Sequence, residues 1–439
     1  MTKRDENVYT PGDIDLTFGL NGQAPLLFPN GEFTYVYRME VSKERILVAG
    51  EKNGTSGAAG DFMIGCLSEN GVVDLSFGRD GSITGNFNGY ESRADSITVM
   101  EDGKLLIIGL YRNTTPYYLP AACRLLPSGE LDDTFGIGGT FIFPADALTA
   151  RDKPEKASSL NHSESGNDAD GCAVLPDGKI MIYQALVRTG VGLIVRLNAD
   201  GQLDDTFDGK GYLEVKYPGP KVLATTLHSL IVESDGRLLV GGQVNLDDSV
   251  DIRGFVARLN TDGSPDTSFG QQETGFAEVD LKGETGKVSD LIKTSSGKIF
   301  GIGFVGTLAN FEIATKAMAF GMLPEGKADP DFNGGKPNTI NLGMVSFWNS
   351  ILASPRNDRI VASGYINDKN GRSPGVLVGR YLTTGEFDES FGNGKGWTIL
   401  EPGILSTLAV QADGKVLVSY KLGDGATPGK PCAITRLLP

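Results

Sequence analysis

Three stretches of this chain carry side chains whose types and spacing could recognise a ligand. YRNTTPYYLP brings Tyr111, Tyr117 and Tyr118 together, and tyrosines beside amides and charges can stack on sugar rings or cap a protein interface. QVNLDDSVDIRG holds Asp247, Asp248 and Asp251, whose oxygens could hold calcium or another divalent ion; no other cofactor is expected. The third is a Ser- and Asp-rich excursion at residues 144–171 containing His162, readable as a flexible surface loop, a lid or a partner-binding loop.

Other chemistry is harder to find. The chain has 2 histidines, and the second, His228 in TTLHSLIVES, falls in an expected strand where a packed ring is the simpler reading. No G-x-S-x-G elbow, H-E-x-x-H or nucleotide-binding glycine loop occurs. The 4 cysteines include no C-x-x-C pair and read as buried reduced thiols, so no metal site is assigned to them. NADGQLDDTFDG superficially suggests a calcium loop but lacks alternating ligands and a closing glutamate.

The remaining acids that attract notice are repeated. Asp15, Asp74, Asp132, Asp204, Asp266, Asp329 and Asp388 each stand three residues before a phenylalanine: Phe18, Phe77, Phe135, Phe207, Phe269, Phe332 and Phe391. One active site needs one copy of each role, whereas a turn built many times needs many copies. These aspartates are therefore read as turn-fixing groups that accept backbone N–H bonds, and the phenylalanines as plugs between repeated units.

What must position any site is the repeat itself. Three marks recur in fixed order: an L-D-x-[ST]-F-G turn, a D-G-K hairpin such as SDGRLLVGG, and an R-L-N-x-D-G turn. The marker phenylalanines are 59, 58, 72, 62, 63 and 59 residues apart, the long interval being the one with the excursion. Each unit reads as four short strands, with D-G and N-D turn chemistry absorbing many of the 60 glycines. Seven such units predict an all-β fold, a seven-bladed propeller of four-stranded antiparallel blades. Residues 12–22 carry the turn that elsewhere follows RLLP, and RLLP is where the sequence stops, so a strand near residues 23–28 is expected to complete the blade formed by residues 404–439 and close the ring. That gives a tail at 1–11 and one domain at 12–439. A meander puts both repeated turns on one face, leaving the variable connections on the other, where binding is expected.

The marks resemble those of the delta-60 repeat family of bacterial proteins, across nearly the whole chain. The resemblance implies a repeat scaffold and no particular activity. The sixth marker, ADPDFN, departs most from the pattern, and Asp208 replaces the usual glycine in the fourth.

Forty Lys and Arg against 55 Asp and Glu give a net charge of −15, which argues against nucleic acid or an anionic membrane as partner. The opening residues show no apolar secretory core, which favours the cytoplasm, although non-classical export leaves the same sequence. The sequence thus predicts a monomeric binding module for a protein surface or a glycan, working through the variable-loop face. A metal-dependent hydrolase or lyase at the channel mouth is the alternative.

Overall fold

The computed structural model describes residues 10–52, 60–113, 118–148, 171–186, 190–246, 251–309, 312–342, 345–355, 358–367, 375–423 and 430–439. Among them, seven four-stranded antiparallel sheets form the blades of a propeller, joined by turns and two short 3-10 segments. Blade 1 runs outward from Tyr35–Ser42 through Arg45–Lys52 and Asp61–Ser68 to Ser82–Gly85. Blades 2 to 7 begin on the inner strands Glu91–Val99, Gly171–Val174, Val222–Val232, Thr285–Lys293, Val345–Ala353 and Gly403–Val410. Among the described residues, no helix is long and apolar enough to cross a membrane.

The repeat in the sequence and the blade in space are offset by one strand. The strand after each Phe-Gly turn pairs with the strand before it, as Ser82–Gly85 pairs with Asp61–Ser68, and so ends its blade instead of beginning the next. The offset closes the ring. The outer strand of blade 7 is Gln23–Pro25, paired antiparallel with Cys432–Leu437, so both chain ends share one sheet.

The repeated residues build one device at the blade junctions. In blade 2, Arg124 Nε donates to Asp132 Oδ2 at 2.7 Å and Nη2 to Thr134 Oγ1 at 3.0 Å, while Nη1 reaches the Ala199 carbonyl of blade 3 at 2.7 Å. The guanidinium lies 4.9 Å from the Phe135 ring centre. Asp132 Oδ1 accepts the Thr134 backbone N–H, the turn geometry that short acidic side chains provide. Lys104 of the D-G-K hairpin also pairs with Asp132, at 3.1 Å, so the aspartate ties all three marks together. Phe135 is fully buried and packs beneath the turn glycine of the next blade: a Cβ on Gly201, where φ is +83°, would stand 2.8 Å from the ring. Arg196, Arg258 and Arg380 repeat the ion pair with Asp204, Asp266 and Asp388, and Arg436 makes it with Asp15 across the chain ends at 2.9 Å. Burial opposes ionisation of Asp388, yet the Ser390 hydroxyl and Arg359 outweigh it and hold the carboxyl down at about 2.

Two junctions depart from the pattern. In blade 5, Gly321 replaces the arginine because the Phe332 ring fills the space, and the hairpin cation Lys298 pairs with Asp329 at 2.8 Å without an arginine beside it. Blade 1 has Cys66 at the arginine position; Asp74 keeps only Arg45, at 3.2 Å, as its cation, and Phe77 is left partly exposed.

Replacing a buried marker aromatic leaves an inter-blade cavity. Phe269→Ala is expected to cost on the order of 3–5 kcal/mol in urea unfolding, and Phe77→Ala distinctly less. Asp132→Asn strands Arg124 in a buried site and should cost about 3–5 kcal/mol by analogy with broken buried pairs, whereas Asp74→Asn, with no buried arginine to strand, should stay within about 1 kcal/mol. Equal losses at the two aspartates would remove the junction device as their explanation.

Candidate ligand-binding face

Every inner strand runs toward the D-G-K hairpin, so its first residues, the end of the second strand and the start of the third all meet on the opposite, variable face. At six blades the inner strand carries a β-bulge, one extra residue that re-aims the side chains around it. In blades 1, 2, 4, 5 and 6 the bulged positions are Tyr37, Asp95, His228, Ser289 and Asn349. Each is opposed by a glycine of the second strand. At Gly109 a Cβ would stand 1.9 Å from the Arg93 carbonyl oxygen, so the bulge cannot coexist with a side chain there.

Blades 1 and 2, with the end of blade 7, use these positions to assemble a connected set of tyrosines and charges. Arg93 and Asp95 share the inner strand of blade 2 and pair at 2.9 Å. The Arg93 guanidinium lies 4.8 Å from the Tyr37 ring centre and 5.7 Å from that of Tyr118, between the two rings. Tyr118 donates its hydroxyl to Glu91 Oε1 at 2.6 Å, and Arg112 Nε donates to Glu91 Oε2 at 2.9 Å while its guanidinium faces the Tyr118 ring at 5.0 Å. Tyr37 lies 6.4 Å from Tyr35, whose ring faces Lys421 of blade 7 at 4.3 Å, and the Tyr37 hydroxyl is within hydrogen-bonding reach of Glu51.

The protonation states follow from these neighbours. Burial pushes the Glu51 carboxyl up, with Arg93 and the Tyr37 hydroxyl opposing it. Burial also works against ionisation of Glu91, but the hydrogen bonds from Tyr118 and Arg112 outweigh it and lower that carboxyl. Tyr37 and Tyr118 are both pushed well above the usual phenol range, by burial first and then by the carboxylates beside them. Both therefore serve as hydroxyl donors. Glu51, Glu91 and Asp95 are balanced by Arg93, Arg112 and Lys421, so the cluster is close to neutral on a strongly acidic chain.

Of the residues singled out from the sequence, Tyr118 lies in this cluster. Tyr111 points into the core with 2% exposure and donates its hydroxyl to the Phe143 carbonyl at 2.7 Å. Asp251 pairs with Arg253 at 3.0 Å on the far side of the same face. Tyr117, His162, Asp247 and Asp248 lie outside the described residues, as does most of the 144–171 excursion. His228 is buried on the inner strand of blade 4. Tyr35, Tyr37, Glu51, Glu91, Arg93 and Asp95 escape a search of loops because they belong to strands. Their signal is the glycine closing the second mark (Gly50, Gly109), which betrays the bulge opposite. Among the described residues, no three His, Cys, Asp or Glu side chains converge as a metal-ligand set.

A family model described as a β-propeller domain of unknown function, DUF5122, matches residues 101–135, 175–207 and 233–269. Each segment runs from a D-G-K hairpin to a marker phenylalanine, within blades 2, 3 and 4. No curated protein matches the sequence. Among solved structures, polysaccharide lyase Uly1 is 11% identical with a TM-score of 0.48, covering 96% of this chain and 92% of its own. The β-propeller domain of the Trilobed protease from Pyrococcus furiosus, described as having an open velcro topology, is 8% identical with a TM-score of 0.45, covering 93% and 94%. An α-L-arabinanase from Penicillium chrysogenum complexed with arabinobiose is 12% identical with a TM-score of 0.44, covering 94% and 97%. Such likeness is one of fold alone.

The Glu51 environment gives a direct check. In a carbon-13 titration of side-chain carboxyls, Glu51 is expected to titrate above the ordinary glutamate value of about 4.3. Arg93→Ala should raise it further by removing the opposing cation. A downward move in that variant would show that Arg93 does not act on Glu51 as its position implies.

Proposed function

We propose that this protein is a binding module whose variable-loop face takes a neutral saccharide, centred on the cluster that blades 1 and 2 share with the end of blade 7. The observation that supports this reading is the Tyr37–Arg93–Tyr118 array together with Glu51, Glu91 and Arg112. A sugar presents hydroxyls that both donate and accept, beside apolar C–H faces. It is matched by alternating carboxylate acceptors and guanidinium or phenol donors on an aromatic support. Because each polar group already holds a partner, the array is preorganised, and little side-chain freedom is lost on binding. A polyanion gains nothing from a cluster in which each cation is matched by an acid on a chain of net charge −15.

Screening the purified protein on an array of neutral and acidic glycans, followed by calorimetry on the hits, tests the proposal. Binding to neutral glycans is expected, weakened at least about tenfold by Arg93→Ala and by Glu91→Gln, the scale of a lost charge-assisted hydrogen bond. Capture of a protein ligand with no glycan bound, or full affinity in both variants, would overturn it.

A further inference from the structure

The arrangement around Glu91 occurs a second time, at a place the sequence repeat does not dictate. Tyr217 donates its hydroxyl to Glu278 Oε1 at 2.6 Å, the distance Tyr118 keeps to Glu91. Arg253 Nη1 lies 3.4 Å from both oxygens of Glu278, while its Nε and Nη2 hold the two oxygens of Asp251 at 3.2 and 3.0 Å. Each centre is therefore a carboxylate held between a phenol and a guanidinium. The residues come from unrelated positions, however. Glu91 opens an inner strand and Tyr118 precedes a third strand, whereas Glu278 ends the outer strand Phe276–Glu278 and Tyr217 lies in the crossing from blade 3 to blade 4. Copying of the unit cannot produce this; the same chemistry has been assembled twice from different strands.

The second centre also opens onto a cavity. Asp251, Arg253 and Glu278 line a groove of about 630 Å³ between blades 4 and 5, completed by residues 279–285, including Lys282 and Glu284. Its volume suits a sugar unit or two on the scale of small-molecule sites. The Tyr217 ring is fixed from below by Phe255 and Phe276, at 5.6 and 5.3 Å between ring centres, so its hydroxyl is aimed by packing and not by chance. Burial, and then the bond to Glu278, push the Tyr217 phenol far above its usual range, which keeps it a donor. Glu278 then has lone pairs left for ligand hydroxyls, and Arg253 has N–H groups beyond those used by Asp251 and Glu278.

We infer that the groove between blades 4 and 5 is a second saccharide-binding site, in which Glu278 accepts from and Arg253 donates to adjacent hydroxyls of one sugar. The inference rests on the reading of the first cluster as a saccharide site. The two centres lie on the same face, three blades apart in a ring of seven, so a long chain or two branches of one glycan can engage both. Engagement of a second site becomes intramolecular once the first is filled, which raises apparent affinity without new contacts.

Arginine Nε–H resonances report on both centres in one experiment. The full chain is titrated with cellohexaose, maltohexaose, mannohexaose and xylohexaose while the signals of Arg112 and Arg253 are followed. Saturable shifts at both arginines with at least one hexasaccharide are expected, and Glu278→Gln should weaken the Arg253 response at least tenfold while Arg112 still responds. Unchanged melting in Glu278→Gln, and the surviving Arg112 response, separate loss of the site from loss of the fold. A response at Arg112 alone overturns the second site and leaves the first reading standing. A response at Arg253 alone supports the groove and removes the blade 1–2 cluster as the saccharide centre; silence at both overturns both.

Discussion

The propeller depends on a buried guanidinium shared between a carboxylate of its own blade and a carbonyl of the next. A buried ion pair is not stabilising by virtue of being buried, since desolvating both charges can cost more than their attraction returns. What makes this one effective is that Arg124 has almost nothing left unsatisfied: it meets Asp132, Thr134, the Ala199 carbonyl and the face of Phe135. The same contacts fix the angle between blades, because the carbonyl belongs to the neighbouring unit. Repeating a fixed angle brings the last blade back to the first, where Arg436 finds Asp15 and reaches the Glu69 carbonyl at 2.9 Å. Ring closure is thus one more copy of a local interaction, made between residues at opposite ends of the sequence.

This explains why so much of the architecture was legible. Blade number, the faces assigned to the turns and the pairing of the chain ends follow from three marks whose spacing is rigid because they meet at one carboxylate. The offset between repeat and blade was hidden for a related reason. The Phe-Gly turn looks like the start of a unit when read along the chain, yet it is a connection inside a sheet. Hidden too were the bulges. A glycine such as Gly109 is read as turn-like or permissive, whereas its role is to leave room for a carbonyl of the strand beside it. The variable loops drew the eye to Tyr111, which packs inward, while Tyr37 and Arg93 lay unremarked in strands whose alternation looked ordinary.

The junction between blades 1 and 2 carries both departures at once. On the repeated face Cys66 stands where arginine is usual, and Phe77 does not reach full burial. On the opposite face the same two blades present Tyr37, Glu51, Arg93 and Glu91. Blade 1 is tied to blade 2 there by Arg93 over the Tyr37 ring, 4.8 Å from its centre, a contact that brings a desolvated cation onto an aromatic face. The two blades thus hold together partly through the groups that would meet a ligand. Blades 2–3 and 3–4 are held instead by the buried arginines Arg124 and Arg196 on the repeated face.

Acids serve opposite purposes on the two faces. On the repeated face, Asp132 and its equivalents at the arginine-bearing junctions are saturated: two cations, a hydroxyl and a backbone N–H leave no acceptor capacity for a ligand. On the variable face Glu91 and Glu278 are each held by one phenol and one guanidinium, which fixes their orientation and leaves lone pairs unused. Carboxylates that look alike in composition are therefore separated by how many donors the fold supplies. Full satisfaction makes a joint, whereas partial satisfaction on a rigid strand leaves acceptor capacity. Like side chains thus differ by their surroundings: the repeated aspartates hold the ring together, while Glu91 and Glu278, which the repeat does not copy, keep acceptor capacity.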